Sequence, residues 1–276
     1  MTALHKRAPF LRSYAFFPHR LINRGAARIT AARGPGWLVD AMVALWTRLD
    51  RIELGDFEQR RFESLDDFFL RRLRPGARPI AGGFVTPADG RLVALGRASL
   101  AAPLVVKKQR LSLERLVNGR SHGIDLRAYE GGSFAVVFLT PRGYHHVHMP
   151  IEGELAEVYW IPGRYFPQNE VALEHIPRIY ERNERAVLRC RAARGFEFLV
   201  IMVGASLIGG IELAGFRRAE WARRIPTRLE RKLAKGEEIG HFAFGSTVVA
   251  LLPRGVARQV ALANELSMGE TLFELA

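Results

Sequence analysis

The chain has 276 residues, 48% of them hydrophobic and 25% charged, and a formal net charge of +13. Such a composition excludes an intrinsically disordered chain and allows one or two domains with a sizeable core. The surplus of cations calls for an anionic partner, either nucleic acid or an anionic lipid surface. The single cysteine, Cys190, excludes an intrachain disulfide and a cysteine-based metal cluster.

The first 39 residues contain no Asp or Glu and many Arg, a composition shared with transit peptides. The segment Gly36–Asp50, "GWLVDAMVALWTRLD", predicts a helix with Leu38, Met42, Leu45 and Leu49 on one face and Trp46 beside them. Flanked by Arg20, Arg24, Arg28, Arg33 and Arg48, it has the pattern of a segment lying in a lipid interface. The same stripe would equally serve an ordinary helix packed on a core. No window reaches the ~18–20 apolar residues that span a bilayer. Next, "SLDDFFLRRL" predicts a helix capped by Ser64, with Asp66 and Asp67 at its positive end and Pro75-Gly76 ending it.

Organisation changes near residue 80. After Pro79 come short apolar runs divided by Gly and Pro: "RLVALGRASL", "SFAVVFLT", "ELAEVYWI", "RAVLRCRA", "FEFLVIMVGASLIGGIEL" and "HFAFGSTVVALL". They predict a mainly antiparallel β core, sandwich- or barrel-like, so the class is α+β with amphipathic helices preceding the core. Residues 1–79 then form a helical region and 80–276 a β-rich domain. Leu111–Val117 is the one short helix expected within it, and Cys190 reads as a half-buried strand residue. The Arg- and Lys-dense run between Phe216 and Glu237 is either a solvated loop or a contact for phosphate or lipid headgroups.

Three stretches carry chemistry. "TPADG" (Thr86–Gly90) places Asp89 in a turn at the start of a strand, and "YHHVHMP" (Tyr144–Pro150) gathers His145, His146 and His148. Strict strand alternation would put His146 and His148 on one face as a ligand pair, but no further His or carboxylate stands at a matching spacing, so no metal is expected. Asp89, a histidine of this cluster and Ser246 also supply the residue types of an acid–base–nucleophile triad. The third stretch, "GHFAFGSTVVALL", reads as one strand, Ile239–Phe244 continuing into Val248–Leu252, with Gly245-Ser246-Thr247 in its middle. It lacks the second glycine and following helix of a hydrolase elbow. Instead the carbonyl beside the Ser246 hydroxyl is that of Gly245, which no side chain shields. Attack there exchanges amide for ester; β-elimination then cuts the chain and leaves a dehydroalanine that hydrolyses to a pyruvoyl group.

These residues bring the chain close to a known family. "FFLRRLRPGARPI" (Phe68–Ile80), "PADG" (Pro87–Gly90), "SFAVVFLTPRGYHHVHMPIEGEL" (Ser133–Leu155), "YERNERAV" (Tyr180–Val187), "VGASLIGGIE" (Val203–Glu212) and "GSTVV" (Gly245–Val249) occur in that family's order. In them the sequence resembles the bacterial, membrane-associated phosphatidylserine decarboxylases. The resemblance implies a proenzyme whose triad is Asp89, His148 and Ser246, cleaved between Gly245 and Ser246. The products would be a β chain of residues 1–245 and an α chain of residues 246–276 that begins with pyruvoyl, the enzyme's covalent cofactor. His145 would sit near the substrate and assist decarboxylation or protonation, while His146 occupies a variable position. Two departures stand out: Phe244 replaces the family's usual Leu, and "PGRYFPQN" around Phe166 keeps only the outline of the pattern.

The same resemblance implies that phosphatidylserine is the substrate and that residues 1–79 associate with an anionic membrane surface. It further implies that the two chains stay together as a heterodimer, with a homo-oligomer also open, and that the enzyme works at the cytoplasmic face of the cell membrane. Two other readings remain at this stage: an uncut Ser-His-Asp hydrolase, and a basic nucleic-acid-binding protein, against which the sequence offers no interleaved aromatic-basic strand.

Overall fold

Helices lead the chain, as their apolar periodicity requires. The computed structural model describes residues 19–58, 60–140, 142–205, 210–223, 225–243, 246–260 and 263–276, which places the extreme N-terminus, Phe244 and Gly245 outside the described residues. The helices are α1 (His19–Ala31), α2 (Gly36–Asp50) and α3 (Leu65–Phe69). The Asp67 N–H donates to Ser64 Oγ at 3.1 Å, the expected cap of α3. The packing of α2 uses a face other than the leucine stripe. Its buried residues are Val39 and Val43, which meet Ile52 and Phe68, while Trp46 lies edge-on to Phe68 at 5.6 Å. The stripe of Leu38, Met42, Leu45 and Leu49 faces outward with Trp37. A helix with two apolar faces can bury only one against a single partner layer.

Among the described residues sixteen strands follow: β1 (Phe84–Val85), β2 (Gly90–Arg97), β3 (Leu104–Val106), β4 (Gln109–Leu111), β5 (Ser133–Leu139), β6 (His146–His148), β7 (Gly153–Ile161), β8 (Arg185–Ala192), β9 (Glu197–Gly204), β10 (Ile211–Leu213), β11 (Thr227–Leu233), β12 (Glu238–Phe242), β13 (Ser246–Leu252), β14 (Ala257–Gln259), β15 (Glu265–Leu266) and β16 (Thr271–Leu275). Among the described residues, eight of them form a central sheet in the order β11-β7-β8-β9-β13-β5-β2-β15, every neighbour antiparallel. The sheets β1-β16-β14 and β10-β12-β6 pack on one face of it, and the β3-β4 hairpin with several short helices packs on the other. Alternation within β13 shows the consequence. Val248, Ala250 and Leu252 belong to one core, and Val249 and Leu251 to the other. Burial on both faces explains why "SFAVVFL", "FLVIMVG" and "STVVALL" read as unbroken apolar runs and not as alternating ones.

The layered arrangement agrees with the expected α+β class and a sandwich-like core; its end strands β11 and β15 pair with one partner each, so the described sheet is open. Three local expectations need correction. The apparent single strand around Gly245 is two strands in different layers, because β12 pairs with β6 and β10 while β13 lies between β5 and β9. The basic run between Phe216 and Glu237 is no plain loop. It holds a short helix, Arg218–Trp221, and the edge strand β11, where Arg228, Glu230 and Lys232 alternate outward. Charged side chains of this kind keep an edge from pairing with other chains. Cys190 is fully buried. The expected short helix is Leu113–Val117, capped by Ser112, and Gly119–His122, Glu170–His175 and Ile179–Arg182 add three more whose periodicity is too brief to read.

Candidate active site

Ser246 opens β13, opposite Leu139 of β5 on one side and Gly204 of β9 on the other. It is fully buried, and its Oγ has no hydrogen-bond partner among the described residues. Buried hydroxyls are nearly always paired, so this orphan marks a group kept available for something else. The ends of the strands around it are tied firmly. Asn183 Nδ2 donates to the Gly204 carbonyl at 2.9 Å and to the Phe166 carbonyl at 2.8 Å, and its Oδ1 accepts from the Phe166 N–H at 2.9 Å. Gln168 Nε2 donates to the Gly204 carbonyl at 3.1 Å and its Oε1 accepts from Thr247 Oγ1.

The Pro87–Gly90 turn lies against β6, since the His148 N–H donates to the Pro87 carbonyl at 2.8 Å. Gly90 is required there: a Cβ would stand 2.4 Å from the Phe138 carbonyl oxygen. Asp89 accepts from Arg78 Nη2 at 2.7 Å and Nε at 3.1 Å and from the Met268 N–H at 2.7 Å. Arg78 also reaches Asp56 at 2.6 Å, linking the helical segment to the turn.

His148 donates from Nδ1 to the Gly236 carbonyl at 2.9 Å, and its Nε2 therefore accepts from the Tyr144 hydroxyl at 2.9 Å. Burial lowers its pKa below the ordinary histidine value, with the carboxylates of Glu238 and Asp89 opposing that trend. The two expected triad members Asp89 and His148 thus lie in neighbouring segments, but among the described residues no direct hydrogen bond joins them, and none joins His148 to Ser246.

His145 is fully buried just before β6. Its Nδ1 donates to the Gly143 carbonyl at 3.1 Å, its ring lies 3.9 Å from that of Phe69, and Nε2 has no partner among the described residues. Burial first, and then the charge of Arg71, holds its pKa well below the usual value, so the imidazole is neutral. Arg71 is itself buried. It donates to the carbonyls of Phe68, Arg142 and Gly143 and lies over the rings of Phe57 and Phe68 at 4.4 and 5.0 Å. Desolvation pushes it down to about 10. His146 and His148 do not offer the joint ligand pair that strict alternation would give, because both ring nitrogens of His148 are engaged elsewhere.

Sequence reasoning passed over Arg71, Arg78 and Tyr144. All three stand inside the quoted runs "FFLRRLRPGARPI" and "YHHVHMP", so their positions were visible while their bonding was not.

A sequence profile described as phosphatidylserine decarboxylase matches residues 65–274. The chain belongs to the phosphatidylserine decarboxylase family. The phosphatidylserine decarboxylase proenzyme of Pseudomonas aeruginosa is 35% identical to it, with 95% of this chain and 96% of the relative covered. Proteins of the same name from Ectopseudomonas mendocina and Azotobacter vinelandii are 32% and 31% identical and cover 97% and 95% of this chain, with 96% of each relative covered. Among the described residues, Ser246 of "GST" and His145 of "YHHVHMP" are two of the side chains that carry a buried polar atom without a hydrogen-bond partner.

Proposed function

We infer that this chain is a self-processing, pyruvoyl-dependent decarboxylase that converts phosphatidylserine to phosphatidylethanolamine and carbon dioxide in phospholipid biosynthesis. The observation that carries this reading is Ser246, whose buried hydroxyl at the first position of β13 has no hydrogen-bond partner among the described residues. A pyruvoyl group suits the position, because its formation removes a hydroxyl donor that the surroundings leave unsatisfied. When formed there, it supplies an electrophilic carbonyl for the substrate amine and a sink for the electron pair left by carbon dioxide.

The protein's own residues would divide the work. His148, neutral and with its Nδ1–H fixed by Gly236, is the base for the Ser246 hydroxyl. Tyr144 occupies its Nε2 lone pair, so the serine proton reaches it after Tyr144 turns aside or through the Tyr144 hydroxyl. Asp89, within electrostatic reach, favours the protonated imidazole that results. His145, with Nε2 unused among the described residues, would pass a proton at the reacting carbon, and burial together with the charge of Arg71 keeps the ring neutral beforehand.

Cleavage between Gly245 and Ser246 would give chains of residues 1–245 and 246–276 that remain together, since β13 is hydrogen-bonded on both edges. Residues 1–79 would carry the enzyme to an anionic membrane surface at the cytoplasmic face. Among the described residues no helix is long and apolar enough to cross a membrane. Support for surface binding comes from α2, where Trp37, Leu45 and Leu49 are 73%, 59% and 72% exposed, with Leu38 and Met42 on the same side. The hydrolase and nucleic-acid readings lose ground to the family assignment.

Intact-mass measurement of the wild type beside Ser246→Ala tests the proposal. Two wild-type chains, the smaller lacking its N-terminal amine, with one uncut chain in the variant and carbon dioxide release only from the wild type, are expected. A single chain in both, or Ser246 labelled by a fluorophosphonate, would overturn it.

A further inference from the structure

His146, Glu238 and His241 lie outside the chemistry assigned above. They come from adjacent strands, β6 and β12, and one donor atom of each lies within 4.8 Å of one from each of the others. Glu238 and His241 are three apart, a spacing that in a regular strand puts side chains on opposite faces. The pairing of β12 with β6 shifts register between Glu238 and Gly240, and this irregularity turns both toward His146. Gly240 is needed at the shift, because a Cβ there would stand 2.2 Å from the Glu212 carbonyl oxygen.

Hydrogen-bond accounting shows what the cluster lacks. His146 Nε2 faces the Leu70 carbonyl at 3.2 Å, and a carbonyl only accepts, so this nitrogen carries the proton. Its Nδ1 stands 2.8 Å from Glu238 Oε1, also an acceptor. In the neutral ring two lone pairs would meet there, so a cation belongs between them. A proton on Nδ1 would satisfy that pair alone. It would leave His241 Nδ1, buried and without a hydrogen bond among the described residues, 3.6 Å from the same carboxylate oxygen. A metal ion would engage all three groups at once. Donation of Nε2–H to a backbone carbonyl is also how protein imidazoles that bind metal through the other nitrogen are oriented.

We propose that His146, Glu238 and His241 form a binding site for one divalent transition-metal ion of the zinc class, joining β6 to β12. Two imidazoles and one carboxylate are a donor set for such ions and leave a fourth position open for water. Tetrahedral coordination with bonds of about 2.0–2.1 Å sets donors roughly 3.3 Å apart, so the His146–Glu238 pair at 2.8 Å must open by about half an ångström and the His241–Glu238 pair at 3.6 Å must close by about 0.3 Å. Asp66 and Glu212, whose carboxylates interact with His241, add negative potential; Arg72, with Nη1 3.9 Å from Glu238 Oε2, opposes it. An ion here would pin the His145–His148 segment to the strand that leads toward Ser246.

The test uses full-length chain without a histidine tag, stripped with chelator and titrated with Zn2+ against a chromophoric competitor. One ion per chain at micromolar affinity or tighter is expected, weakened at least tenfold by His241→Ala and by Glu238→Gln, and unchanged by the distant His175→Ala. Co2+ added to the wild type should give the intense visible absorption of a tetrahedral site, a readout independent of whether either variant folds. Absence of saturable Zn2+ binding, absence of that Co2+ spectrum, or equal affinity in His241→Ala would each overturn the proposal.

Discussion

Asn183 holds the ends of two segments with three buried hydrogen bonds, and one of them anchors Gly204 opposite Ser246. Truncation to alanine would leave the Phe166 amide and carbonyl short of partners, while the Gly204 carbonyl would keep its bond from Gln168. A cost of about 2–4 kcal/mol is expected, from roughly 1–3 kcal/mol for each buried group left unsatisfied and partial relaxation. Urea denaturation in the uncut Ser246→Ala background measures it without interference from chain cleavage, and a loss under about 1 kcal/mol would mean water replaces the amide. The two active-site histidines should separate by role. His145→Gln should still be cut into two chains yet lose about 10²–10⁴-fold in carbon dioxide release, the range of a lost proton-transfer group, whereas His148→Gln should stay in one piece. A His145 variant that fails to process would place both rings in the cleavage step. Cys190 offers a control on the core: burial drives its thiol far above the ordinary range, so iodoacetamide should label it only after denaturation.

At the scale of elements, α2 presents the clearest division of labour. Val39 and Val43 hold it to α3 and its neighbours, and the opposite side keeps its apolar residues in solvent. Replacing Leu45 and Leu49 together by Asp should therefore leave the melting temperature within a few degrees of wild type, because neither residue is part of a core. Sedimentation with phosphatidylserine-containing vesicles should fall at least tenfold, since each leucine loses about 1.5–3 kcal/mol of apolar burial in the interface. A large drop in melting temperature would instead show that this side packs against protein. The edge strand β11 makes a different use of its surface. Its outward Arg228, Glu230 and Lys232 interrupt what would otherwise be a free sheet edge.

Over the whole molecule, the net charge of +13 and the layered core act separately. Burial of both faces of the central sheet accounts for the stability of the fold, whereas the charge bears on what the surface meets. Binding to anionic vesicles should weaken steeply as salt rises from about 0.1 to 1 M, where the screening length shrinks from roughly 10 to 3 Å. Binding to zwitterionic vesicles should be weaker and nearly indifferent to salt, reflecting the apolar side of α2 alone. Equal binding to both vesicle types would remove electrostatics from the membrane reading.

By itself the sequence determined whatever depends on a few neighbouring residues. The Ser64 cap, the short helix after Ser112, the long apolar β runs and the Gly245-Ser246 pair were all legible, because caps, turns and strand periodicity are set by near neighbours. The family segments placed Asp89, His145, His148 and Ser246 as the residues to inspect. Tertiary structure alone decided the pairings between distant segments. It separated β12 from β13 into different layers, turned the leucines of α2 outward, and set Arg78 and not His148 against Asp89. It also turned Glu238 and His241 to one side through a shift in pairing that no local pattern records. The physical reason is common to these cases: register and layer are set by cross-strand hydrogen bonds and by which face another element covers, and both depend on chain far away in sequence.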